Sequence, residues 1–278
     1  MKDNYIGYYF KVSQIYPAVE ILIAELSERG FETFLENENG FDAFIQKKDW
    51  HKSILDDIYI LNSKEFEISY SQKEIPSVNW NKEWEEHFKP IIVDNKVAIR
   101  APFHKPFSLK YELIIQPKMS FGTGHHETTH MMIQHLLNFD LKNKKVLDMG
   151  CGTGILAIFA EKKGAQAIDA IDIDEWSFQN TQENIEANNC NYINVYKGGR
   201  ELLDGKMYDV IIANINRNVL LDQLNSYAAC LSKGGVLFLS GFYKEDVPVL
   251  KNCANQFNLE VVEKLERNQW TSLKLMFR

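Results

Sequence analysis

The chain has 278 residues, 45% hydrophobic and 25% charged, with a formal charge of -7. The length suggests about two domains, and the composition is that of a folded globular protein rather than a disordered one. The acidic excess argues against a broad nucleic-acid footprint, which needs a basic face.

No run approaches the ~20 apolar residues of a membrane span, and no apolar stretch follows Met1-Lys2-Asp3-Asn4-Tyr5 as a secretory signal requires. Cys151, Cys190, Cys230 and Cys253 are scattered and form no C-x-x-C, so they read as reduced thiols. These features predict a soluble, cytoplasmic protein. Residues 1–65 carry seven Lys/Arg against twelve Asp/Glu, so most of the negative charge lies at the front. A solvated surface explains that excess, although it would also suit a basic partner.

The first 70 residues form a unit of their own. Tyr5–Val12 alternates as a strand. Pro17 opens a helix whose Val19, Leu22, Ile23 and Leu26 repeat at helical spacing until Arg29-Gly30. Phe31–Leu35 and Phe41–Ile45 flank the turn Asn37-Glu38-Asn39-Gly40 as a hairpin. A second helix is expected over Trp50–Ile60 and a further strand over Phe66–Tyr70. The order βαββαβ is that of a ferredoxin-like α+β domain, a fold that hosts many unrelated functions.

Residues 71–90 are expected to form a linker helix, with Trp80, Trp84 and His87/Phe88 along one face as packing groups. The remainder, 91–278, reads as a second domain. Short strands at Val97–Arg100 and Glu112–Ile115 precede a glycine-rich segment, Phe121-Gly122-Thr123-Gly124-His125-His126-Glu127-Thr128-Thr129, and a helix that runs to about Asn138.

Next comes the run Lys145-Val146-Leu147-Asp148-Met149-Gly150-Cys151-Gly152-Thr153-Gly154-Ile155-Leu156. An apolar strand ends in an acid and a G-x-G-x-G turn, and a helix follows at once. Such a turn admits close backbone approach and leaves helix N-terminal N–H groups free for a ligand. It is neither the G-x-G-x-x-G of dinucleotide binders nor a P-loop.

Asp172 closes the next strand, 22 residues after Gly150, where a carboxylate can accept from a ribose diol. Strands at Ile193–Lys197, Val210–Ala213 and Val236–Ser240 alternate with helices at Glu175–Asn189 and Val219–Leu231. This alternation predicts a parallel sheet covered on both faces, with Gly150, Asp172 and Asn214 at one crevice. Leu259–Leu265 and Ser272–Phe277 read as a closing antiparallel pair.

The glycine turn with its two acids resembles motif I of the class I S-adenosylmethionine (SAM) methyltransferases. The F-G-T-G-x-H-x-T-T segment 121–129 makes the chain similar over essentially its full length to the bacterial family that methylates the eleventh large-subunit ribosomal protein.

The resemblance implies a Rossmann-like domain with a seven-stranded, mostly parallel sheet. It also implies a front domain that docks the substrate and SAM as cofactor, with contacts at Thr129, Gly150, Gly152, Asp172 and Asn214. Asn214 is the candidate that orients a lysine or N-terminal amine. The expected partner is the ribosomal protein, free or in the ribosome, with no nucleic-acid or membrane partner, no metal, and a monomeric enzyme. Glu127 stands where the family pattern leads one to expect proline.

Two other readings compete. Asn214-Ile215-Asn216-Arg217 lacks the prolines and aromatic with which nucleic-acid amino-methylating enzymes stack a base, so that reading is disfavoured. His126-Glu127-Thr128-Thr129-His130 is a literal H-E-x-x-H, the pattern of a zinc hydrolase, but no third ligand follows at metzincin spacing. His125, His126 and His135 read as surface or packing groups and Cys151 as packing. Phe121 is a possible cover for the methyl pocket, and Arg200 a possible neighbour of the adenine.

Overall fold

A computed structural model describes residues 4–13, 15–63, 65–75, 88–118 and 121–277. The chain divides into two units, 1–87 and 88–278.

In the front unit, β1 (Tyr5–Val12), α1 (Ile15–Ser27), β2 (Thr33–Asn37), β3 (Gly40–Gln46), α2 (Tyr59–Asn62) and β4 (Ile68–Ile75) follow the order βαββαβ. The strands lie in the order β2-β3-β1-β4, and every neighbouring pair is antiparallel. The ferredoxin-like expectation is borne out. Alternation explains the layer: Ile6, Tyr8, Phe10 and Val12 of β1 are buried on one face, where Val19, Leu22 and Leu26 of α1 cover them.

Two local expectations fail. Residues 50–60 are not one helix: turns fill 52–57, with Ile54, Asp56 and Ile58 N–H groups donating to His51, Ser53 and Leu55 carbonyls, and the short α2 starts only at Tyr59. Side chains occupy carbonyls that a helix would use: Arg29 Nη2 donates to Asp57 O, and Asn62 Nδ2 donates to Asp56 O and Ile58 O. Ile54, Leu55, Ile58 and Ile60 are nevertheless buried, so the apolar pattern is right and the backbone differs. Residues 71–75, expected as linker, continue β4 and pair with Tyr5–Tyr9 of β1. The expected linker helix around Trp80 and Trp84 falls mostly on 76–87, outside the described residues.

The second unit begins with a small sheet, β5 (Ile91–Val93), β6 (Val97–Arg100) and β7 (Tyr111–Ile114), antiparallel then parallel. After α3 (Glu127–Asn138) the chain alternates through β8 (Lys145–Met149), α4 (Ile155–Lys162), β9 (Ala167–Asp172), α5 (Glu175–Ala187) and β10 (Ile193–Lys197). It continues through β11 (Tyr208–Asn214), α6 (Arg217–Cys230), β12 (Leu231–Tyr243) and α7 (Val247–Gln256), and closes with the hairpin β13 (Leu259–Arg267) and β14 (Trp270–Phe277).

The seven strands lie in the order β10-β9-β8-β11-β12-β14-β13, parallel from β10 to β12, with β14 antiparallel to both its neighbours. The predicted seven-stranded, mostly parallel sheet is present.

Each central strand is apolar on both faces because both are covered. Val210 and Ile212 of β11 join a core with α3 and α4, while Ile211 and Ala213 join the opposite core with α6 and α7. The order reverses between β8 and β11, which opens a crevice at the strand C-termini. Asn184 of α5 and Asn188, which caps its C-terminus, fix the approach to it. Asn188 Oδ1 accepts from Ile114 N and its Nδ2 donates to Ile114 O (2.9 and 2.6 Å), and Asn184 Oδ1 accepts from Gln116 N (2.8 Å).

Candidate active site

At the end of β8 the backbone turns back on itself. Gly150 N and Cys151 N both donate to Ile171 O of β9 (2.8 and 3.2 Å). Gly150 and Gly152 have φ of 72° and 57°, in the left-handed region that disfavours side chains. Space is a second constraint, because a Cβ on Gly152 would lie 2.3 Å from Phe121 O. Segment 121–122 is pinned there: Thr153 N donates to Phe121 O (3.0 Å) and Thr153 Oγ1 to Gly122 O (2.7 Å). The glycine-rich segment thus folds onto the glycine turn.

Gly152→Ala is expected to cost about 1–3 kcal/mol of stability through backbone strain and the lost contact. Gly205, also at positive φ (68°) but with nothing near its Cβ position, provides the comparison. Urea unfolding should show a larger loss for Gly152→Ala than for Gly205→Ala. Equal losses would contradict the close approach.

Two carboxylates serve the turn differently. Asp172 closes β9 at the cavity edge, accepting from Gly152 N through Oδ2 (2.9 Å) and from Asp174 N through Oδ1 (3.0 Å). Each oxygen keeps a lone pair for a ligand hydroxyl. Asp148 is buried beneath, accepting from Ala157 N through Oδ2 (3.0 Å). Burial pushes its carboxyl up to about 7, with the Asp172 charge adding to the shift and the Ala157 bond opposing it.

Asn214 ends β11. Its Nδ2 lies 3.5 Å from Thr129 Oγ1, and its buried Oδ1 has no hydrogen-bond partner among the described residues. An unpaired buried acceptor is costly unless something binds it.

These groups surround a cavity of about 450 Å³. Gly150, Gly152, Asp172 and Asn214 line it, as does Phe121. Thr129 does not: it is fully buried behind Asn214, and Thr128 stands on the wall instead. Arg200 is also absent from the wall and pairs with Asp222 (2.7 Å). His135 is a packing group as expected, buried with Nε2 2.9 Å from Ser272 Oγ, and burial pushes its imidazole down to about 4.

His126, read from sequence as packing, faces the cavity; burial pulls its imidazole below the ordinary value against the attraction of Glu127. Sequence reasoning missed Ser177, Gly198, Gly241 and Trp270 as wall residues. The Gly198-Gly199 pair was a usable signal, but Trp270 carried none.

The H-E-x-x-H groups are engaged elsewhere. His126 Nδ1 accepts from Thr128 N (3.2 Å), the Glu127 carboxylate is held by Arg267 and Asn268, and His130 Nε2 lies 3.3 Å from Arg267 Nη1. Glu127 and His130 are thus engaged with a guanidinium and His126 with Thr128, which disfavours zinc chemistry.

A family model described as ribosomal protein L11 methyltransferase (PrmA) matches residues 16–278. The chain belongs to this family. A relative of that name from Porphyromonas gingivalis is 45% identical, with 98% of this chain and 97% of that one covered. Another from Bacteroides thetaiotaomicron is 44% identical over 93% and 94%.

A crystal structure of a ribosomal protein L11 methylase from Lactobacillus delbrueckii subsp. bulgaricus superposes with a TM-score of 0.64 at 26% identity, covering 69% of this chain and 100% of that one. A methyltransferase from Pyrococcus furiosus shares the fold (TM-score 0.52, 22% identity, 59% and 88% covered). Membership makes the chain a SAM-dependent methyltransferase, as the sequence resemblance implied. The nucleic-acid and zinc alternatives are not favoured.

Proposed function

We propose that this enzyme methylates amine nitrogens, on lysine side chains, the N-terminus or both, of the eleventh large-subunit ribosomal protein. Support for the substrate comes from the full-length similarity to relatives bearing that protein in their names. The unpartnered Asn214 carbonyl oxygen beside the glycine turn carries the chemical reading.

The residues present fit SAM. Asp172 offers acceptors to a ribose diol, Gly150 and Gly152 admit close approach, and Ile171, Ile173 and Val219 give an apolar wall for a flat base. Thr128 is on the wall for the methionine portion. Thr129, expected in that role, backs the Asn214 amide.

When bound, SAM supplies a methyl group on a positively charged sulfur, open to in-line displacement by an amine. The chain supplies alignment and a place where the amine is neutral. Lysine, with a pKa of ~10.4, arrives mostly protonated, and an apolar wall favours its free base. Asn214 Oδ1 accepts from the amine N–H and so directs the nitrogen lone pair. Asp148 is no base for this step, because it is buried off the cavity wall and bonded to Ala157.

The single-turnover rate should therefore rise between pH ~7 and ~9 as the neutral fraction of the substrate grows. Rapid-quench measurements giving a flat profile, with chemistry limiting, would contradict this.

We take the enzyme to act as a monomer. The four cysteines are free thiols, and no helix among the described residues is long and apolar enough to cross a membrane. The cytoplasm, where ribosomes are made, is the compartment this substrate requires. Mass spectrometry of ribosomal proteins from cells with and without the gene tests the reading. The eleventh large-subunit protein should lose methyl mass when the gene is absent, and an unchanged mass would reject it as substrate.

A further inference from the structure

The His126–His130 run is tied to the far end of the chain. One Glu127 oxygen takes the Arg267 guanidinium, and the other accepts from Asn268 Nδ2 at 2.7 Å. Arg267 ends β13, Asn268 and Gln269 form the turn at φ 46° and 69°, and Trp270 opens β14. One carboxylate at the start of α3 thus grips the tip of the closing hairpin. Burial works to raise the Glu127 carboxyl, but the bonds from Asn268 and Arg267 outweigh it and hold the group below its ordinary value.

What the tip carries gives the grip its use. The Trp270 ring stands edge-on to His126, with centroids 4.6 Å apart, and the Tyr243 ring packs against it, tilted, at 4.2 Å. His126 is edge-on to Phe121 at 5.1 Å. Trp270, His126 and Phe121 all line the cavity.

Asp172 ends β9, and Ser177 and Gly198 follow β9 and β10, on one side of β8, whereas Asn214, Gly241 and Trp270 belong to β11, β12 and β14 on the other. With the ribose at Asp172, Trp270 stands at the end where the acceptor amine enters. An exposed ion pair adds little to stability, so position is what this one secures.

We propose that Glu127 is a positioning residue: it latches the β13–β14 tip so that Trp270 closes the acceptor end of the cavity and aligns the incoming amine. This rests on the methyl-transfer reading above. Misplacing a reacting group by an ångström is worth up to ~100-fold in rate. Releasing the latch therefore affects acceptor turnover and leaves the SAM end intact.

The test uses the full chain labelled with fluorotryptophan, with Trp270→Phe assigning its line among the five tryptophans. In Glu127→Gln and Arg267→Ala, the Trp270 fluorine line should move toward the free-tryptophan position without any substrate present. In both variants kcat/KM for the ribosomal protein should fall about 10-fold or more, while SAM affinity by calorimetry stays within about twofold. The reversed pair Glu127→Arg with Arg267→Glu should restore the line and part of the rate.

An unmoved Trp270 line overturns the latch, as does a SAM affinity that falls as far as kcat/KM. Failure of the wild-type enzyme to transfer methyl would instead reject the functional reading, and the fluorine line would still decide the latch.

Discussion

Asp148→Asn is expected to make the protein more stable than wild type at pH 8, with the advantage vanishing near pH 4. Burial lifts the folded-state carboxyl from 3.8 to about 7, so between those values the folded protein holds a proton that the unfolded chain has released. Stability therefore falls as pH rises through this window.

At about 1.4 kcal/mol per pKa unit, the wild-type penalty approaches ~4 kcal/mol above pH 7. Asparagine fixes the neutral form, and its carbonyl oxygen can still accept from Ala157 N, the bond that Asp148 Oδ2 makes. Urea midpoints across pH 4 to 8 should diverge for the two proteins. Parallel profiles would show that Asp148 is ionised in the folded state and that the surrounding polar groups compensate its charge.

The other large effect is expected at Asp172. Asp172→Ala removes the ribose acceptors and leaves Gly152 N without the partner it has at 2.9 Å. Two charge-assisted hydrogen bonds at about 1.5–3 kcal/mol each predict SAM binding weaker by roughly 100-fold or more. Affinity for the ribosomal protein should change far less, since Asp172 lies on the β9 side of the cleft. Asp172→Asn, which keeps one acceptor, should fall between. Calorimetric titration showing unchanged SAM affinity in Asp172→Ala would move the ribose elsewhere.

Short-range patterns show in the amino-acid sequence, whereas contacts between distant residues do not. The β8–turn–α4 unit and Asp172 were readable because a buried parallel strand is a continuous apolar run and the glycines mark the turn within a few residues. The ferredoxin-like order was readable from alternation in β1 and the helical spacing of α1.

The extension of β4 over 71–75 was not, because that strand is largely exposed and has no apolar alternation to betray it. The turns at 51–58 also escaped, since carbonyl capture by Arg29 and Asn62 cannot be seen in local spacing.

At the site, local motifs pointed to Gly150, Gly152, Asp172 and Asn214, all of which line the cavity. They could not separate Thr128, on the wall, from Thr129, behind it, because that depends on the rotation of α3 about its axis. Trp270 and the partners of Glu127 lie some 140 positions away in sequence, and only the hairpin's place at the sheet edge brings them to the cavity.

A labelled methyl donor shows which molecule accepts the group. The purified chain is incubated with SAM carrying an isotopically labelled methyl group, the eleventh large-subunit ribosomal protein and, separately, ribosomal RNA. Label is expected on amine nitrogens of the protein, lost in Asn214→Ala and absent from the RNA. Label on the RNA, or none on the protein while SAM is bound, would contradict the proposed function.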